Sequence, residues 1–393
     1  MTTNLAMIPQ FFDFDSICSK VKITTHHKYT IMNYIKSTLE KNSIYGLYRS
    51  IILNVNKEVV CFSPPKSMTY DFFMQSEITN AVIGMEFIEG TMINAFWHDG
   101  SWEISTKSMI GGNNGFYNYP NAKTFKMMFD EACQATNLNI ESLDKTKGYS
   151  FVLQHPENRI VIPHDKPQLY LIAVYSIKDH IIKHVHPSEI REWAYWENTS
   201  VLFPTIFDLS QTDISTLIQR YACPYGNSVY TSMGIVFYNV ETGNRTKLRN
   251  VTYEKVRQLR GNQAKLEYQY LCLRQENKVS EFLKWYPETK HYITDCRNKL
   301  HLFTKELFTH YISCFIKKEK KLWLYSGRYK CHMYNLHQLY IANDGLKSKK
   351  MYVTFQVVKE YVNTLAPALL LHFINYNYDR VRDARVRDPR INN

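Results

Sequence analysis

The stretch Met85 to Gly112, MEFIEGTMINAFWHDGSWEISTKSMIGG, decides how the rest of the chain is read. Phe87, Ile88, Met92, Ile93, Ala95 and Phe96 form an apolar run broken at Glu89-Gly90-Thr91. His98-Asp99-Gly100-Ser101 predicts a tight hairpin turn, because Asp-Gly tolerates the positive φ that such a turn demands. Beyond the turn Trp102, Ile104 and Thr106 alternate with Glu103, Ser105 and Lys107, the period of a half-buried strand. An antiparallel strand pair entered through an acid-Gly-Thr corner is therefore expected.

Working outward, Tyr45 to Leu53 reads as a strand, Val55-Asn56-Lys57-Glu58 as a turn, and Val59 to Phe62 as the returning strand. Ser63-Pro64-Pro65-Lys66-Ser67 ends it, since proline cannot donate to a ladder. This hairpin carries Arg49 near its start and Lys66 just past its end. Downstream, Tyr149 to Ile162 carries Phe151 and then His155-Pro156-Glu157-Asn158-Arg159-Ile160-Val161. Further on, Ser232-Met233-Gly234-Ile235-Val236-Phe237 is followed by Thr246-Lys247-Leu248-Arg249-Asn250.

In this order the segments resemble the adenylation domain of ATP-dependent RNA ligases of the phage RNA ligase 1 type, within the covalent nucleotidyltransferase superfamily. The resemblance runs at motif level from about residue 45 to 260 and is architectural beyond. The family's central motif, Lys-x-Asp-Gly-Ser/Thr, falls on Phe87-Ile88-Glu89-Gly90-Thr91, so Phe87 occupies the place of the lysine that bonds to AMP. The resemblance implies that Glu89 hydrogen-bonds a ribose beside Gly90, that Arg49 and Lys66 contact nucleotide phosphates or an RNA end, and that Lys107 contacts phosphate; by residue type alone Arg49 and Lys66 fit solvated surface cations equally well. It implies that Phe151 stacks on adenine; the residue pattern fits a core phenylalanine equally well. Gly234 is retained, but Met233 replaces an acid and Gln154 stands near where the family has a glutamate. Lys247 and Arg249 match the lysine pair that neutralises the triphosphate, with arginine keeping the charge but not the compact ammonium.

These substitutions point away from nucleophilic attack and from metal, while the glycines and hairpins are kept. The resemblance thus implies an RNA-ligase-like protein that binds ATP or AMP, or RNA ends, with degenerate catalytic motifs: a pseudoenzyme. One alternative is an active ATP-dependent RNA ligase in RNA repair, using ATP and Mg²⁺, with Lys107 or Lys66 as replacement nucleophile. Another is a structural or interaction protein that reuses the fold; in that case the cations would not converge.

The remaining sequence sets the frame. The chain has 393 residues, 45% hydrophobic and 21% charged, enough for a full core and two domains. The expected fold is α+β: a nucleotidyltransferase domain of antiparallel sheets with helices over 1–260, a mostly helical domain over 261–378, and a flexible charged tail over 379–393. A formal net charge of +12 favours polyanion partners such as RNA. The 8 cysteines are scattered with no C-x-x-C pair, which excludes a zinc ribbon or a disulfide scaffold and fits reduced thiols. His180, His184 and His186 lie close in sequence, without the cysteines or spacing of a metal site, so no metal is expected there. No apolar run reaches the roughly 18 residues of a membrane span, and the N-terminus lacks a signal-peptide pattern. A cytoplasmic protein without membrane partner is expected. The abundance of Tyr, Asn, Ile and Lys fits an AT-rich genome such as that of a large DNA virus, which would place the protein in the host cytoplasm.

Helical spacing is read at Lys28–Lys41, Thr124–Ala135, the second half of Leu202–Arg220, Tyr253–Arg260, Leu266–Arg274, Val279–Tyr286, Phe303–Phe315, Tyr334–Ile341 and Phe355–Phe373. Ile110 to Gly115 is a glycine-rich connection, and Lys317-Lys318-Glu319-Lys320-Lys321 a solvated basic loop.

Overall fold

The computed structural model describes residues 3–5, 20–41, 43–116, 122–178, 181–223, 230–342 and 344–376. The charged tail expected over 379–393 lies outside the described residues, as does His180. The chain divides into two compact units, Met1–Gln258 and Leu259–Asn393.

The first unit holds fourteen strands among its described residues: β1 (Thr3–Leu5), β2 (Val21–His26), β3 (Tyr29–Tyr34), β4 (Ile51–Leu53), β5 (Val59–Cys61), β6 (Val82–Glu86), β7 (Thr91–His98), β8 (Ser101–Ser105), β9 (Lys147–Gln154), β10 (Gln168–Lys178), β11 (Ile181–His184), β12 (Ile206–Asp208), β13 (Gly234–Asn239) and β14 (Arg245–Arg249). They form a six-stranded sheet, β1-β11-β10-β9-β7-β8, and two four-stranded sheets, β12-β6-β13-β14 and β2-β3-β4-β5. The strand pairings are antiparallel. Its helices are α1 (Tyr70–Ser76), α2 (Phe125–Ala135), α3 (Pro187–Arg191), α4 (Ile214–Leu217) and α5 (Val251–Arg260), the last ending two residues past the unit boundary.

The Asp99-Gly100 turn forms between β7 and β8 as expected, with both residues at positive φ (55° and 78°). Period-two patterning then sorts the six-stranded sheet into two faces. Ile93, Ala95, Tyr149, Phe151, Leu153, Leu169 and Leu171 pack under α2, through Met128, Phe129 and Ala132. Thr124 caps that helix by accepting from the Met127 amide. A bulge between Leu171 and Ala173 shifts the β9–β10 register, so Val174 continues the α2 face while Ala173 and Tyr175 face the other way, toward β2–β5.

The glycine-rich connection is structural. Gly112 and Asn114 carbonyls accept from the Lys126 and Phe125 amides at the start of α2. Within the sheet β12-β6-β13-β14, one face packs on α1 and α4 through Phe73, Leu217, Ile235 and Phe237. The other face gathers Met85, Phe87, Val236 and Tyr238.

Three expectations need correction. Tyr45–Leu53 is a strand only at Ile51–Leu53, because Ile44–Leu47 closes into a short 3-10 helix that Ser43 caps by accepting from the Tyr45 amide. Lys28–Lys41 is not a helix: it contains the strand β3 and a turn. Ile31 and Met32 are both buried because the strand has apolar packing on both faces, so consecutive apolar residues imitate helical spacing. His27, at φ 46°, turns the chain into this strand. Phe355–Phe373 is two helices, because Pro367 begins a new one.

The second unit is helical: α6 (Leu266–Gln275), α7 (Val279–Trp285), α8 (Lys290–Tyr311), α9 (Gly327–Ile341), α10 (Phe355–Thr364) and α11 (Pro367–Ile374). Its core gathers Leu271, Phe282, Leu300, Phe303, Leu307, Met333, Leu336, Val358 and Leu370. Phe303 lies parallel to both Tyr329 and Phe373, with centroids 5.6 and 6.4 Å away. No helix among the described residues is long and apolar enough to cross a membrane.

Candidate functional site

A cavity of about 190 Å³ opens in the first unit between the six-stranded sheet and the free face of β12-β6-β13-β14. Met92, Val152, Ala173 and Tyr175 line one wall; Met85, Phe87, Val236 and Tyr238 line the other. Strand alternation builds its charge. Arg245, Lys247 and Arg249 are successive same-face residues of β14, and all three line the cavity. Across the ladder they stand opposite Tyr238, Val236 and Gly234. Arg49 joins them from the segment ahead of β4.

Phe87 sits one residue beyond β6, its amide donating to the Gly234 carbonyl at 3.2 Å. Because Gly234 has no side chain, the row from Phe87 to Arg249 is open in the middle. The Lys247 ammonium lies 5.4 Å from the centre of the Phe87 ring. Gly234 is there for steric reasons: its φ is 140°, and a Cβ would sit 2.0 Å from the Leu248 carbonyl oxygen. Gly90, at φ 149°, faces the same constraint, with the Leu153 carbonyl oxygen 2.5 Å from any Cβ.

Two arginines are clamped together at the cavity. Arg49 Nη1 and Arg245 Nη2 each donate to the Pro64 carbonyl at 3.4 Å, and Arg245 Nε donates to the Pro65 carbonyl at 2.9 Å. Desolvation, with Arg49 second, lowers the Arg245 guanidinium to about 10. Desolvation also lowers Arg49. Lys247 falls to about 7, first through desolvation and then through the fields of Arg245, Arg249, Arg49 and Lys66. Its side chain still reaches solvent, so part of that repulsion is screened; the direction rests on four crowding cations as well as on burial. Among the described residues the only carboxylate paired with this group is Glu254, 3.2 Å from Arg249.

The sequence-marked residues fall into two sets. Arg49, Gly90, Lys247 and Arg249 line the cavity, with Phe87 and Met233. Lys66 is exposed and does not line it, but stands close enough to repel Lys247. Lys107 is exposed, with its ammonium 4.3 Å over the Tyr34 ring. Glu89 points elsewhere: its buried carboxylate accepts from the Val161 and Ile162 amides at 3.1–3.2 Å, with His164 Nε2 3.6 Å away. Gln154 donates to the Glu89 carbonyl at 2.9 Å. Phe151 lies on the opposite face of its sheet, against Phe129 and Tyr149.

Among the polar cavity residues, Arg245 and Tyr238 escaped the sequence reading, and His184 entered it only as one of three neighbouring histidines weighed for metal. The alternation of Arg245-Thr246-Lys247-Leu248-Arg249 carried the signal for the first. The other two depend on how distant strands meet. His186, beside them in sequence, instead caps α3 through its Nδ1, which accepts from the Ser188 amide. Among the described residues no three His, Cys, Asp or Glu side chains gather as metal ligands. The one carboxylate on the cavity wall, Glu86, accepts from the Thr205 amide and hydroxyl. This donor set does not fit a divalent ion held by protein carboxylates.

No family model matches the chain. It is 24% identical over 258 residues to the immediate-early protein ICP-46 homolog of Invertebrate iridescent virus 6, covering 60% of this chain and 54% of that one. It is 28% identical over 100 residues to an RNA ligase of Rhodothermus phage RM378, covering 24% of this chain and 23% of that one. The chain thus spans about half the length of the first relative and about a quarter of the second. Among solved structures, an archaeal ATP-dependent RNA ligase aligns with a TM-score of 0.41 at 11% identity, over 72% of this chain and 74% of that one. A putative ATP-dependent DNA ligase from Aquifex aeolicus aligns at 0.37 and 12%, over 84% and 80%.

Proposed function

We propose that the cavity binds the phosphates of a nucleotide or of an RNA end, in a ligase-like protein that does not form a lysine–AMP bond at position 87. One observation carries this reading. Arg49, Arg245, Lys247 and Arg249 converge on one space, with Lys66 near, and only Arg249 has a carboxylate partner among the described residues. Like charges held this close raise one another's free energy, and an anionic ligand relieves it. A protein reusing the fold as a scaffold has no need of such a cluster. The similarity to a phage RNA ligase supports RNA ends or nucleotide as ligand class. The scattered cysteines and the similarity to a viral protein accord with action in a host cytoplasm.

Phenylalanine offers no lone pair to phosphorus, so Phe87 leaves the motif without its nucleophile. A second reading, a functioning ligase with a relocated amine, is favoured by one feature. Lys247 lies over the Phe87 ring, and an amine titrating near 7 is substantially neutral at physiological pH. Lys66 and Lys107, the replacements expected from sequence, do not line the cavity.

Incubation with α-labelled ATP and Mg²⁺ or Mn²⁺, followed by denaturing electrophoresis and peptide mapping, separates the two. The proposed function predicts reversible ATP binding and no covalent label. A label on Lys247 that disappears in Lys247→Arg would replace it with the second reading.

A further inference from the structure

The cavity has an exposed mouth and a buried inner end, and they differ chemically. Lys247 reaches solvent at the mouth. At the inner end His184, on β11, lies between Tyr175 of its own sheet and Tyr238 of the opposite one, with ring centroids 5.1 and 5.0 Å away. Phe62 packs edge-on against Tyr175 at 5.0 Å. Tyr238 is 6% exposed and His184 3%, yet Tyr238 Oη and His184 Nδ1 have no hydrogen-bond partner. A buried hydroxyl or imidazole nitrogen left unpaired costs free energy, and both residues line the one cavity, so a small turn of either side chain would let a ligand there supply the partner. Arg245 and Arg49 stand beside them, sharing the Pro64 carbonyl.

We propose that this inner end is a subsite for a terminal, singly substituted phosphate, whose oxygens accept hydrogen bonds from Arg49, Arg245, Tyr238 Oη and His184 Nδ1. The chemistry selects that group. Two guanidinium forks present more N–H donors than the two proline carbonyls use, and phosphate oxygens match their planar geometry. His184 is driven down to about 3 by burial, then by His186 and Arg245, so it acts as a neutral dipole and adds no third cation. A phosphodiester continues on both sides, whereas a terminal phosphate fits an end walled by Tyr175, Tyr238 and His184. Lys247 and Arg249 then lie along the path to the mouth, where they meet the next charges of the ligand.

This proposal rests on the cavity being a phosphate site. It adds which end takes the terminal group and which residues read it. The terminal phosphate comes either from a free nucleotide or from the 5′ end of RNA. Four probes distinguish these at fixed ionic strength by calorimetric titration of the full chain: ATP, adenosine, a 5′-phosphorylated oligoribonucleotide and the same oligomer with a 5′-hydroxyl.

The wild-type chain is expected to prefer the phosphorylated member of at least one pair by about tenfold or more, the effect of two or more charge-assisted hydrogen bonds. Preference in the ATP pair points to free nucleotide, and in the oligomer pair to RNA ends. Tyr238→Phe keeps the ring and removes only the hydroxyl, and should reduce that preference about tenfold. Arg245→Gln should reduce it further; Tyr238→Phe carries the test should Arg245→Gln not fold. Wild-type preference in both variants, with loss in Lys247→Met, would place the phosphates at the mouth and overturn the inner subsite while leaving the cavity as a phosphate site. No preference in either pair for the wild type would overturn both.

Discussion

Lys247 should make anion binding fall with rising pH in a way that one substitution abolishes. Its ammonium, normally near 10.5, titrates near 7 in the empty cavity because of desolvation and four neighbouring cations. A bound dianion offsets those cations and raises the value again. The sign follows from proton counting. Below pH 7 the lysine is charged whether or not the anion is present, and affinity is flat. Above 7 the empty site is largely deprotonated and binding takes up a proton, so affinity falls by up to about tenfold per pH unit. Because the side chain reaches solvent, screening trims this limit. Between pH 7 and 9 the expected loss is on the order of tenfold to a hundredfold. Sulfate is the suitable probe, since its charge is constant over the range. Calorimetric titration in two buffers of different ionisation enthalpy reads the proton uptake directly. Lys247→Met should bind weakly with a flat profile, and Lys247→Arg should remain flat near the low-pH affinity of wild type. A wild-type profile that changes less than twofold from pH 7 to 9, or one unaltered in Lys247→Met, would mean that Lys247 does not change its charge when the anion binds.

Gly234→Ala places a Cβ 2.0 Å from the Leu248 carbonyl oxygen at a φ of 140°. Urea denaturation should show a loss of roughly 2–4 kcal/mol, and a loss below about 1 would mean that the β13–β14 pairing is looser than described. Glu89→Gln removes the charge that accepts from the Val161 and Ile162 amides. It should cost about 1–3 kcal/mol of stability and leave ATP affinity unchanged; an affinity loss without a stability loss would point to a ribose contact instead. Lys66→Ala should reduce the slope of log K against log salt for single-stranded RNA by about 0.7, one phosphate contact fewer. An unchanged slope would remove Lys66 from the RNA path.

Arg49, Lys247 and Arg249 were legible through the order of their motifs, whereas the apolar cavity wall follows from strand alternation that shows its faces only once the strands are paired. The same alternation that separates Phe151 from Val152 sends Phe151 to the α2 core and Val152 to the cavity. A motif resemblance marks Phe151 without saying which face it takes. The Asp99-Gly100 hairpin and the two constrained glycines were readable because few residues satisfy those backbone positions. The helix expected over Lys28–Lys41 failed where β3 is buried on both sides, which removes the polar half of the strand pattern. The inner end of the cavity was illegible for another reason. His184 and Tyr238 meet only because two sheets face each other, and that pairing has no local signature.

Entry of ligand phosphates into this cavity is read directly by the reactivity of Lys247. A lysine titrating near 7 acylates at neutral pH faster than exposed lysines such as Lys107. Brief treatment with a limiting acylating reagent at pH 7, followed by peptide mass spectrometry, measures each lysine with and without saturating ATP. Lys247 should be among the fastest-labelled lysines, and ATP or a 5′-phosphorylated oligoribonucleotide should protect it, with Lys107 far less affected by ATP. Labelling of Lys247 that is unchanged by either ligand would contradict phosphate entry into the cavity.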